Sequence, residues 1–168
     1  MTMSTPRSWG KIEFPVSLID DEIRGHLERE YEAQFDEDGS LKDWHGVDIE
    51  PGQVDGIFTL EDGEAAYGEF EDLEALLIKK GIPFDRESGM DWNRPPVRLV
   101  YRPAQGDKAA LELNIDLDDD GDEVVSVKAI REILDRTDTE EGPEENIRDF
   151  LDFNFPAYSP LSDYVKEA

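Results

Sequence analysis

Six carboxylates fall within eight residues of the stretch IDLDDDGDEVVS: Asp116, Asp118, Asp119, Asp120, Asp122 and Glu123. Oxygen ligands at alternate positions followed by a glycine open an EF-hand calcium loop, and Asp116, Asp118, Asp120 and Gly121 fit that opening. The closing bidentate acid is missing, because Val127 stands in its place, and a strand pattern rather than a helix leads in. The three aspartates therefore make at most a weak divalent site, in which a cation relieves the repulsion between close carboxylates. The chemistry that uses all six is charge complementarity. A dense acidic surface docks a basic partner, and it can occupy a groove built for phosphates. The bland alternative is an acidic strand-to-helix loop, whose charges are favourable beside a helix N-terminus.

Other reactive residues are few. Of two histidines, His45 lies in DWHGVD between Asp43 and Asp48, an arrangement that could serve a small metal-dependent or hydrolytic enzyme together with the acidic loop. His26 lies on a helical pattern, four residues before Glu30, and reads as a surface pair. Cysteine is absent, which excludes disulfides and thiolate chemistry. No phosphate-binding glycine loop, dinucleotide fingerprint or serine-hydrolase elbow occurs, so no cofactor is expected and enzyme is the minority reading. Arg98 and Arg102 alternate onto one face of a strand pattern, with Lys108 across a turn. They form either an anion or self-association patch, or ion pairs with the facing strand around Glu112 and Asn114.

Net charge is −26, and it is unevenly spread. Residues 79–108 carry +3, leaving −29 on the rest. Such a polyanion repels nucleic acid and anionic membranes, so neither is an expected partner. The acidity has three candidate origins: docking of a basic protein surface, a salt-adapted or acid-biased proteome, or solubility alone. Ile, Leu, Val and Phe supply 42 residues, a quarter of the chain, which is above the roughly 20% below which charged chains stay disordered. The opening MTMSTPRSWGKIEF lacks an apolar run, and no stretch has the length of a membrane span, so a cytoplasmic protein is expected.

These residues must be carried by particular elements. Alternation through Ile12 and Phe14 predicts a strand ending near Pro15. Steps near four from Leu18 to Phe35 predict a helix over 18–34, with Ser17 as its cap. Ile57 and Phe58 lead into Glu61-Asp62-Gly63 and return through Ala65, which predicts a hairpin. A helix over EDLEALLIKK ends at Gly81, and Ile82–Phe84 reads as a brief strand. RPPVRLVYRP and KAALELNID form a hairpin across PAQGD. Ser126 caps a helix with Val127, Ile130, Ile133 and Leu134 on its core face, and Pro143 opens the last helix. FDEDGSLKDW and FDRESGMDW suggest a duplicated helix-loop-hairpin unit over 17–70 and 71–116, each loop closed by Trp44 or Trp92. The expectation is a single α+β domain over 1–168, with C-terminal helices over 126–153 and an irregular tail over 154–168. One mainly antiparallel sheet of about five strands carries helices on one face. The leading function is a non-enzymatic acidic protein that docks a basic partner, with nucleic-acid mimicry as one form.

Overall fold

In the computed structural model, residues 7–36, 41–42, 49–90, 95–135 and 142–165 are described. His45, Trp44 and Trp92 lie outside them. The six strands among the described residues join one antiparallel sheet, so the α+β architecture follows the sequence expectation. In chain order the strands are β1 (Arg7–Pro15), β2 (Ile49–Val54), β3 (Ile57–Ala66), β4 (Phe84–Ser88), β5 (Val97–Arg102) and β6 (Leu111–Asp116). Their order across the sheet is β2-β3-β1-β4-β5-β6. The helices are α1 (Asp21–Glu30), α2 (Glu71–Lys80), α3 (Val127–Leu134) and α4 (Pro143–Asn154). No helix among the described residues is long and apolar enough to cross a membrane.

The main core lies between α1 and α2 and one face of the sheet. Ile12 and Phe14 from β1, Phe58 and Leu60 from β3, and Phe84 from β4 meet Ile23, Leu27, Leu73 and Leu77 from the helices. Phe14 and Phe58 are register partners, with ring centroids 5.0 Å apart. Helix α1 is shorter than its apolar periodicity. Pro15 leads into a 3₁₀ turn at Val16–Leu18, and Asp20 rather than Ser17 caps the helix, accepting from the N–H groups of Glu22 and Ile23. At its far end Glu32 adopts φ 54, and the Ala33 N–H returns to the Leu27 carbonyl. Gly81 closes α2 at φ 66, as its position after the lysines implies.

The hairpin expected at Glu61-Asp62-Gly63 is displaced. The turn is Asp55-Gly56, with φ 50 and 77, and it joins β2 to β3. Asp62-Gly63 instead sits inside β3. There the register slips by one residue between Ser8↔Ala65 and Gly10↔Asp62, leaving Trp9 opposite Gly63 and Glu64 in a bulge. The brief strand expected at Ile82–Phe84 begins at Phe84 and runs to Ser88, in the middle of the sheet. Its inward positions after Phe84 are Arg86 and Ser88, polar residues that break the apolar alternation.

A second, smaller core occupies the opposite face of the β5–β6 hairpin. Val100, Leu113, Ile115 and Leu117 are buried there, with Phe155 and Tyr158 of the C-terminal segment packed against them. Both faces of β5 are therefore covered, Leu99 and Tyr101 belonging to the main core. The α3 stripe is not a core face as its periodicity implies: Ile133 is buried, but Val127, Ile130 and Leu134 are exposed.

Candidate functional site

Strand β6 delivers the chain into the acidic loop at the sheet edge. Leu117 bridges to Glu123, the Asp118 N–H bonds the Asp122 carbonyl at 2.9 Å, and the Val124 N–H bonds the Asp116 carbonyl at 2.9 Å. Gly121 takes φ 84 and allows the reversal. Asp118 has a different role from its neighbours. Its Oδ1 accepts from the N–H groups of Asp120 at 3.0 Å and Asp122 at 2.9 Å, so this carboxylate braces the turn while remaining exposed. Asp116, Asp119, Asp120, Asp122 and Glu123 are exposed. Beyond the loop, Ser126 accepts from the Ala129 N–H at 3.1 Å and caps α3 as expected. Among the described residues no group of three or more His, Asp or Glu side chains is gathered to hold a metal. Asp116, Asp118 and Asp120 are thus neighbours in sequence without forming a ligand set.

One wall of the loop borders a groove of about 350 Å³ on the sheet face opposite α1 and α2, lined by Trp9, Met90, Pro96, Leu117, Asp118 and Asp119 among others. Trp9 points outward from the bulged end of β1, 39% exposed, and Met90 is 60% exposed. Leu117, 5% exposed, lines the same groove. The Gly89 N–H bonds the Trp9 carbonyl at 2.7 Å, and a Cβ at Gly89 would come within 3.3 Å of that oxygen. The chain after β4 is thereby held close to β1.

Five bases of the basic island, Lys79, Lys80, Arg86, Arg98 and Arg102, are paired with carboxylates of the chain. Lys80 Nζ lies 2.6 Å from carboxylate oxygens of both Asp20 and Glu22, and Lys79 lies 3.4 Å from Glu22. Lys80 holds both carboxyls below their ordinary range. Arg86, 6% exposed, sits 3.1 Å from Glu74 through Nε, at ion-pair distance without an aligned hydrogen bond. Burial pushes the Glu74 carboxyl up, while Arg86 and the Phe70 N–H, 2.9 Å from Oε1, work in the opposite direction. Arg98 pairs with Glu87 at 2.9 Å and Glu123 at 3.3 Å. Arg102, 4% exposed, grips Asp85 at 2.6 and 3.2 Å and the Ser159 carbonyl at 2.6 Å, with Tyr158 stacked on its guanidinium at 5.2 Å.

Arg98 and Arg102 do share a face, as their alternation requires, but their partners are Glu87 and Asp85 of β4, with Glu123 of the loop as a second partner of Arg98, and do not come from around Glu112 and Asn114. The register sets Tyr101 opposite Glu112 and Leu99 opposite Asn114, which sends those two side chains to the other face. Lys108 stands apart from the arginine pairs, in the turn closed by the Gln105–Lys108 bridge. It borders a cavity of about 380 Å³ that Arg102, Tyr158, Asp163 and Tyr164 also line. Among the described residues no ion pair involves Lys108, whereas Arg98 and Arg102 are both engaged within the chain. His26 packs on the Tyr31 ring at 5.9 Å rather than pairing with Glu30.

Sequence reasoning missed the groove, because Trp9, Met90 and Leu117 lie far apart in the chain and converge only through the β1–β4–β5–β6 pairing. The usable signal was an unexplained tryptophan on the outward phase of β1. Comparison of the chain with protein-family models, with curated proteins and with solved structures finds no match.

Proposed function

We propose that this chain is a non-enzymatic interaction protein whose acidic loop docks a basic protein surface. One observation carries the reading. Among the described residues, Lys79, Lys80, Arg86, Arg98 and Arg102 of the island are paired with carboxylates, Arg98 reaching Glu123 of the loop as well as Glu87, whereas no base pairs with Asp116, Asp119, Asp120 or Asp122. Unpaired, exposed carboxylates on a braced turn keep their full field for an incoming cation-rich surface. A nucleic-acid-binding protein is the partner sub-class that a run of carboxylates at the surface fits, since such proteins present lysines and arginines arrayed for phosphates. The absence of cysteine suits a reducing, cytoplasmic setting for that encounter.

The test compares the native chain with the triple variant Asp119→Lys, Asp120→Lys, Asp122→Lys, both immobilised and exposed to host extract at low salt. Asp118 is left intact because it braces the turn. Expected is a defined set of basic proteins that the native chain retains, that rising salt elutes, and that the variant loses. Equal retention by both forms contradicts the proposal.

A further inference from the structure

The groove beside the loop is mostly apolar, and the charged residues among its described lining are all acids: Glu87, Asp118 and Asp119. We propose that it seats one large apolar side chain of the docking partner. The recognised element is then an extended segment in which a leucine-like or aromatic residue is flanked by lysines or arginines. This rests on the docking reading above and adds what the partner must carry.

The argument is one of complementarity on two counts. Trp9 and Met90 hold much of their apolar surface in water and line the groove together with Leu117 and Pro96. An aromatic and a methionine side by side make an adaptable anchor site, since the thioether chain adjusts its rotamers to the incoming group. About 350 Å³ accommodates one such side chain with its adjoining backbone. Among the described residues the charged side chains lining this patch are all acids, with Arg98 paired to Glu87 and Glu123 beside it. Glu87 is already engaged by Arg98, so Asp118 and Asp119 at the rim, with Asp120 and Asp122 beyond, supply the attraction for flanking bases. A purely cationic ligand leaves Trp9 and Met90 wet. A purely apolar one gains nothing from the loop, and a nucleic acid is repelled by it. A basic segment with an apolar centre satisfies both parts of the surface.

The experiment is calorimetric titration of the full chain with three short synthetic peptides. One has a central leucine between lysines and arginines, the second has serine in place of that leucine, and the third keeps the leucine between glutamates. The leucine peptide with basic flanks is expected to bind roughly tenfold or more tighter than the serine peptide, the ratio that burying one apolar side chain carries. The glutamate-flanked peptide is expected not to bind. Met90→Asp, at an exposed position, is expected to bring the leucine-to-serine ratio close to one. That variant adds negative charge, so a purely electrostatic contact would not lower the ratio. Equal affinities of the two basic peptides for the native chain overturn the groove proposal and leave acidic docking standing. No binding by either basic peptide at low salt overturns both. A ratio unchanged by Met90→Asp, in a variant whose circular dichroism matches the native chain, overturns the assignment to this groove.

Discussion

Arg102 is the side chain that ties β5 to Asp85 of β4 and to the C-terminal segment, and Arg102→Met tests that role. Methionine keeps most of the stem and removes the guanidinium. Five oxygens lose their donor: both carboxylate oxygens of Asp85 and the carbonyls of Phe84, Tyr101 and Ser159. Breaking a buried ion pair from one side costs roughly 3–5 kcal/mol, because the remaining charge stays desolvated. Asp85 retains 24% exposure and partly rehydrates, which places the expected loss near the lower end, about 3 kcal/mol. For a chain of this length that lowers the melting temperature by roughly 6–12 °C. Urea denaturation followed by circular dichroism, with the slope checked for two-state behaviour, measures the loss. The double variant Asp85→Asn, Arg102→Met removes the stranded charge and is expected to recover about 1 kcal/mol or more. A single-variant loss below about 1 kcal/mol, typical of surface pairs, refutes the reasoning, as does a double variant no more stable than the single one.

Two further predictions concern the backbone and the pH response. Gly68→Ala places a Cβ 2.7 Å from both Ser88 Cβ and the Trp9 carbonyl oxygen at φ 68, and is expected to cost about 3 kcal/mol or more in a urea melt. Gly106→Ala, at φ 55 with no atom within 4 Å, is expected to cost only about 1 kcal/mol, so near-equal losses for the two would contradict the packing of Gly68. Burial, aided by Asp62 and Asp72, pushes the Tyr31 phenol up to about 12. An unfolded phenol ionises near pH 10, so between about pH 10 and 12 the unfolded chain releases a proton that the folded chain keeps. Stability that Tyr31 contributes below this window is therefore lost as pH rises through it. Phenolate absorbance should show a late-titrating tyrosine that Tyr31→Phe removes, and an unchanged titration curve would count against this burial.

The elements that reached the page correctly from sequence were those with redundant signals. Helix α2 has acids at its start, lysines at its end and a left-handed glycine after it, and each implies the same boundaries. The β5–β6 hairpin has alternation on both sides of a glycine turn. Where one signal had two meanings, the reading went astray. Asp55-Gly56 and Asp62-Gly63 are the same dipeptide, yet one turns the chain and the other bulges a strand. Strand β2 contains Pro51 and Gly52, poor strand formers that are tolerated because β2 is an edge with one unpaired side. Strand β4 was legible only up to Phe84, because Arg86 and Ser88 break the apolar alternation; Glu74 from a helix accommodates Arg86, and the Val97 carbonyl accepts from Ser88. The exposure of the acidic loop was legible, since nothing in an Asp-rich run can be buried cheaply. The bracing role of Asp118 was not, because an Asx turn and a metal ligand look alike in sequence.

The most direct measurement sets the loop against an equal charge change placed elsewhere. The loop variant carries Asp119→Lys, Asp120→Lys and Asp122→Lys. Its control carries Glu144→Lys, Glu145→Lys and Asp149→Lys on exposed positions of α4, so the two have the same net charge. Affinity of each for the leucine-centred basic peptide is measured by calorimetry at low and at moderate salt. If the loop is the docking surface, its variant loses roughly tenfold or more in affinity together with most of the salt dependence, and the α4 control stays within roughly twofold of the native chain. Equal losses in the two variants would contradict a specific acidic site and leave only the field of a highly charged protein.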